Sequence, residues 1–228
     1  MNDTRGQIKS QLATGQLRSY IDDNAKDPHP FLATIRARSM EHKWNFMLTT
    51  RDQAAFLYTQ VLTMRARKIL ELGSFYGHST LAIAAALPPD GKLITVEHNP
   101  KFAAVTRIHM TEAGVGHLVD VVTGEAPVVL PDIERTHAPQ SFDMIFVDAD
   151  KRHFDIYWDA AMRLSRPGGL IIFDNALARG EILDKSADAA GHVAAVRNFN
   201  ARVLNDNRVF SYIATLADGM LVAINYPG

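Results

Sequence analysis

The 228-residue chain contains no cysteine. That absence excludes disulfides, thiolate zinc sites and thiol nucleophiles together, and it fits a reducing compartment. Net charge is almost missing too, since 24 Lys and Arg stand against 25 Asp and Glu. A chain so balanced lacks the basic field with which proteins hold nucleic acid or an anionic membrane. No apolar run is long enough to span a bilayer. Residues Met1 to Tyr20 are polar, with Arg5, Lys9 and Arg18 where a signal peptide would be apolar. The expectation is a cytoplasmic protein with neither nucleic acid nor membrane as partner. Hydrophobic residues at 47% and charged residues at 21% sit in the globular range. The length suits one α/β unit with a sizeable core and is short for two.

The first third reads as helices. Ile8, Leu12, Leu17 and Ile21 form an apolar stripe, and Asp27-Pro28-His29-Pro30 breaks it because proline disfavours helix in the residue before it. Further helices are expected over Phe31–Met40 and Arg51–Met64, the latter capped by Thr50 or Thr49. From Lys68 onward, short apolar runs alternate with amphipathic stretches. Strands are expected at Ile69–Leu72, Leu93–Val96, Leu118–Val122, Met144–Val147 and Leu170–Phe173. Helices are expected near Ser79–Leu87, Lys101–Glu112 and Phe154–Leu164, which makes βαβ units and a parallel sheet. After a loop over Arg179–Gly191, mobile around Asp184–Asp188, a helix near Val193–Asn205 leads to Phe210–Thr215 and Met220–Ile224. The Ala217-Asp218-Gly219 turn joins these last runs as an antiparallel hairpin. The fold class is α/β, a doubly wound Rossmann-like sheet. Residues 1–66 form a helical cap and lid on a core of residues 67–228.

Ligands of such sheets bind beyond the carboxyl ends of the strands. The first strand runs into Glu71-Leu72-Gly73-Ser74-Phe75-Tyr76-Gly77-His78-Ser79, a glycine turn without the G-x-G-x-x-G of pyrophosphate binders. Its acid would repel a pyrophosphate and suit a cationic ligand. Glu97, ending the second strand, can accept both hydroxyls of a ribose. An adenosine that carries positive charge and no pyrophosphate satisfies both, and S-adenosylmethionine is one. An ordinary glycine turn and a solvated strand-end acid are the plain alternatives. Asp148 and Asp150 follow the fourth strand, and Asp174 and Asn175 the fifth. Four hard oxygen donors at neighbouring strand ends suit Mg²⁺, with Mn²⁺ or Ca²⁺ as substitutes. An ion-pair cluster with Lys151 accounts for the same residues without a metal.

The glycine loop, Phe146-Val147-Asp148-Ala149-Asp150-Lys151, Gly168-Gly169-Leu170-Ile171-Ile172-Phe173-Asp174-Asn175 and Asp218-Gly219 together resemble the caffeoyl-CoA and catechol O-methyltransferase family. The match runs from about Phe46 to the C-terminus in the right order and spacing. The resemblance implies methyl transfer from S-adenosylmethionine to one hydroxyl of a catechol-like diol, and a homodimer in which the N-terminal helices take part. It implies Asp148, Asp174 and Asn175 as metal ligands and Lys151 as the base. It assigns Glu71, Gly73, Ser74 and Ser79 to the cofactor loop, Glu97 to the ribose, Ala126 to the adenine and Asp150 to the cofactor's amino group, and it counts Asp148 among the cofactor-binding residues as well. Met47 and Thr49 match the segment that closes over its methionine part.

Two positions depart from the family. Ala178 stands where an aromatic often follows Asp-Asn, which implies a wider pocket. Tyr212 stands where the animal catechol enzymes place a substrate-binding glutamate. Other readings of the same residues are a metal-independent methyltransferase and a non-catalytic binding protein on this fold. His78, His98, His117 and His153 are scattered and read as surface or supporting residues, and Trp44 as packing near the pocket.

Overall fold

The computed structural model describes residues 15–183 and 191–226. Ahead of the sheet lie α1 (Gly15–Asp23), α2 (Phe31–Ser39) and α3 (Arg51–Met64). The stripe that begins at Ile8 appears as α1 over its second half, and its first half lies outside the described residues. Thr50 is the N-cap of α3, and its backbone N–H donates to Oε1 of Gln53 at 3.0 Å, one half of a capping box.

The α/β region then runs β1 (Lys68–Leu72), α4 (His78–Ala84), β2 (Lys92–Glu97), α5 (Pro100–Glu112), β3 (Val119–Thr123), α6 (Ala126–Thr136), β4 (Phe142–Val147), α7 (Phe154–Leu164), β5 (Ser165–Phe173), α8 (His192–Leu204), β6 (Val209–Ala214) and β7 (Met220–Asn225). All seven strands lie in one sheet of order β3-β2-β1-β4-β5-β7-β6. The first five pair in parallel, and β7 joins β5 and β6 antiparallel. The doubly wound sheet and its terminal hairpin are therefore as the sequence predicts.

Helix α6 is an addition that periodicity did not mark. Two prolines obscure it: Pro127 lies in the first turn, where its missing N–H costs nothing, while Pro131 lies inside the helix.

Strand alternation sends neighbouring side chains to opposite faces. On one face Leu70, Ile145, Ile171 and Phe173 pack with Phe154, Trp158 and Phe199 from α7 and α8. On the other, Ile69, Met144, Phe146 and Ile172 pack with Leu32, Ile35, Leu57 and Leu81 from α2, α3 and α4. Both faces are covered, so the strands read as near-continuous apolar runs. Order reverses between β1 and β4, and the gap left there between their following loops is where a ligand fits.

The loops after β1 and β4 approach each other closely at that point. Gly73 follows β1 with φ +95°, and a Cβ placed on it would lie 2.1 Å from the carbonyl oxygen of Asp148 after β4. Any side chain both strains the backbone and collides with a main-chain atom. Gly73→Ala is expected to destabilise the fold by roughly 2–4 kcal/mol, the combined scale of backbone strain and overpacking. Urea unfolding measures it, and a loss under about 0.5 kcal/mol would mean that the two loops separate freely.

Candidate active site

One cavity of about 970 Å³ opens at the switch point. Met47, Thr49, Gly73, Ser74, Ser79, Glu97, Ala126, Asp148, Asp150, Lys151, Asp174 and Asn175 all line it. Of the residues assigned to the metal, the base or the cofactor, Glu71 alone is set back from the wall. It is fully buried beneath the loop and accepts hydrogen bonds from Thr80 Oγ1 at 2.5 Å and Thr95 Oγ1 at 2.6 Å.

Burial pushes the Glu71 carboxyl up to about 7 from its ordinary 4.5, against the lowering pull of Ser79, Thr80 and Thr95. The folded chain therefore keeps a proton that the unfolded chain releases above about pH 4.5. Stability from this group is full below that pH, falls as pH rises towards 7 and is level beyond. At about 1.4 kcal/mol per pKa unit the window spans roughly 3 kcal/mol. Glu71→Gln, neutral at every pH, should flatten this part of the profile. Urea midpoints from pH 4.5 to 8 test it, and equal slopes in both proteins would refute a protonated Glu71.

Glu97 organises the glycine loop. Its Oε2 accepts from the backbone N–H groups of Ser74 at 3.2 Å and Phe75 at 2.9 Å, and its Oε1 accepts from Asn99 N at 2.9 Å. Phe75 is held at φ +47°, unusual for a bulky residue. Its carbonyl accepts from Thr106 Oγ1 at 3.0 Å, and its ring meets Phe102 edge-on at 4.8 Å. Trp44 lines the cavity 6.1 Å from the Phe102 ring, so the segment before α3 rests on the same aromatic group.

Acid chemistry gathers across the cavity. Asp174 is buried and pushed up to about 7, first by burial and then by the negative charge of Asp148. Asp148 is raised by burial as well, with Lys151 opposing. Lys151 Nζ lies 3.6 Å from Asp148 Oδ1, donates to Ala149 O at 3.0 Å and sits 5.4 Å from the centre of the Phe154 ring. Asp150 accepts from Tyr157 Oη at 2.7 Å, and His153 Nδ1 stands 2.9 Å from its other oxygen.

Among the described residues no three His, Cys, Asp or Glu side chains gather as a cation site. The oxygen donors at the strand ends are two carboxylates and the amide of Asn175. Two carboxylates whose protonation burial favours, with one lysine beside them, have the chemistry of a site for a hard divalent cation. The residues present fit such an ion.

Several participants had no signal in their own stretch of sequence. Gln53 of the α3 cap donates from Nε2 to Asp174 Oδ1 at 2.9 Å. His78 and His153, scattered in sequence, both line the cavity, as do Tyr157 and Arg179. The guanidinium of Arg179 lies 5.2 Å from the Phe46 ring centre. Ala178 lines the cavity, whereas Tyr212 does not and is half exposed on β6. The turn before β7 contributes Ala217 and Asp218 instead.

This sheet order, with a cavity at its switch point and acids at the strand ends, is the Rossmann-like architecture of methyltransferases. The O-methyltransferase family model matches residues 22–226, and the chain belongs to that family. It is 40% identical over 178 residues to a catechol O-methyltransferase of Niastella koreensis, covering 76% of this chain and 80% of the relative. It is 34% identical over 222 residues to caffeoyl-CoA O-methyltransferase 2 of Zea mays, covering 93% of this chain and 83% of the relative. The crystal structure of the O-methyltransferase TomG from Streptomyces achromogenes, in complex with SAM, matches with a TM-score of 0.80 and 31% identity over 92% of this chain and 95% of that one. The resemblance read from the loops is borne out. No helix among the described residues is long and apolar enough to cross a membrane.

Proposed function

We propose that this protein transfers the methyl group of S-adenosylmethionine to one hydroxyl of a catechol-like vicinal diol. The observation that carries this reading is that the loop residues and the acid–lysine group line one continuous cavity. Glu97, Ser79 and Thr49 share its wall with Asp148, Lys151, Asp174 and Asn175. Donor and acceptor can therefore meet without solvent between them.

Glu97 would receive the ribose hydroxyls, Ala126 the adenine, and Asp150 the amino group of the donor. The sulfonium supplies an electrophilic methyl carbon. Asp148, Asp174 and Asn175 would hold a divalent cation, Mg²⁺ foremost, whose chemistry there is that of a Lewis acid and a template for two oxygens. Lys151 takes the proton of the attacking hydroxyl, whose oxygen then displaces the sulfur in line. The described part of the N-terminal segment, residues 15–66, acts as cap and lid, with Met47 and Thr49 lining the cavity from that side. Holding both reactants in near-attack geometry contributes up to roughly 7–11 kcal/mol. We further propose a homodimer, with the N-terminal helices at its interface.

Diols are expected to react once, and matched monophenols far more slowly, because one oxygen alone loses orientation and acidification. The small Ala178 leaves room for bulky diols. A panel of paired diols and monophenols, followed by S-adenosylhomocysteine release at saturating Mg²⁺, tests this. Equal kcat/KM within each pair would overturn the diol assignment, and rejection of every bulky diol would overturn the wide pocket.

A further inference from the structure

A hydrogen-bonded line, part-buried at its outer end and buried at its inner end, runs from α2 through the start of α4 to the cavity. Asp27 holds the guanidinium of Arg36 with both oxygens, at 2.8 and 2.5 Å. Arg36 Nη1 lies 3.1 Å from His78 Nε2, and His78 Nδ1 lies 2.9 Å from Thr49 Oγ1. His78 is 1% exposed and Thr49 6%, and both line the cavity.

The direction of each bond follows from the donor inventory. A guanidinium has donors only, so Nε2 of His78 must accept from Arg36. In a neutral imidazole the other nitrogen then carries the proton, and Nδ1–H donates to Thr49 Oγ1. Burial and the charge of Arg36 push the His78 ring down to about 3, so the neutral form is the one present near neutral pH. Thr49 Oγ1 thus accepts from behind, and its own proton is left for a different acceptor. Among the described residues it bonds to no other group, and the open direction is the cavity.

We infer that His78 is a positioning residue: with Arg36 it fixes the tautomer that turns the Thr49 hydroxyl proton into the cavity, towards the carboxylate of the methyl donor's amino-acid part. This rests on the methyl-donor reading given above. The acids Asp148 and Asp150 also line this cavity and suit the ammonium end. A donor-only hydroxyl suits the carboxylate, and a hydrogen bond to a charged group is the stronger kind. Neither His78 nor Arg36 touches the ligand under this assignment. Both act through Thr49.

Calorimetric titration with two probes separates the role from plain structural support. S-adenosylhomocysteine carries the carboxylate, and 5′-methylthioadenosine has the same nucleoside without the amino acid. His78→Ala and Thr49→Val should each weaken S-adenosylhomocysteine about tenfold or more, the scale of a bond to a charged group, and leave 5′-methylthioadenosine within about twofold. The double variant should be little worse than either single one, as for two members of a single line. His78→Asn, whose amide N–H can replace Nδ1–H, should recover most of the loss. Equal weakening of both probes, unchanged S-adenosylhomocysteine binding, or additive effects of the two substitutions would overturn the inference alone. Failure of the wild-type protein to bind S-adenosylhomocysteine would overturn the donor reading and this inference with it.

Discussion

Lys151→Met is expected to lower kcat by about 10²–10⁴-fold, the usual contribution of a general base. S-adenosylhomocysteine should still bind within about twofold of wild type. Lys151 Nζ reaches the Asp148 carboxylate at 3.6 Å and the Ala149 carbonyl at 3.0 Å, beside the acids that would hold the acceptor. Its removal should therefore affect the acceptor hydroxyl and spare the donor. The same lysine also lowers the proton affinity of Asp148 and Asp174, so an ion-pair role must be separated from a base role. Lys151→Arg makes the separation: arginine keeps the charge but does not give up its proton in proteins. As a base, Lys151 is replaced by neither residue, and both variants are slow. If the arginine variant keeps near-normal kcat, the lysine is a counter-charge only.

Chelation is expected to have a comparable effect. Turnover should vanish with EDTA and return with Mg²⁺, and Asp174→Ala should be nearly inactive. Asp174 is buried at 4% exposure and faces Asp148, with Gln53 Nε2 and the Asn175 backbone N–H as its only neutral donors among the described residues. Those bonds are too few to offset two facing carboxylates, which the raised value of about 7 for Asp174 reflects. A bound cation offsets them directly. Inductively coupled plasma analysis of the purified protein, beside the activity series, checks the ion itself. Full turnover by thoroughly stripped protein would remove the metal from the mechanism and promote direct substrate orientation by Asp148 and Asp174.

Much of the site was readable because strands deliver their C-terminal residues to one edge. Once β1, β2, β4 and β5 are recognised from their apolar runs, Gly73, Glu97, Asp148 and Asp174 must share that edge. Glu71 shows the limit of the same reasoning. It stands two residues before Gly73, still inside β1, and its side chain bonds to Thr80 of α4 and Thr95 of β2. Gln53 and Asp174 meet across more than half the chain, and nothing near either residue announces it. The α3 cap was visible as a cap, yet the second use of its glutamine depends on where α3 packs. Helix α6 was hidden for a local reason, two prolines within a short amphipathic stretch.

Residue pattern by itself determined the strand runs, the parallel sheet, the C-terminal hairpin and the family, because periodicity and short motifs are local properties of the chain. Tertiary structure alone decided which scattered side chains join the cavity. His78 and His153 became neighbours of the site, and Tyr212 was turned away from it on β6. The physical reason is that hydrogen-bond direction and burial are set by what a group faces. Arg36 and Thr49 come to face His78 only after α2 and the segment before α3 have closed over β1 and α4.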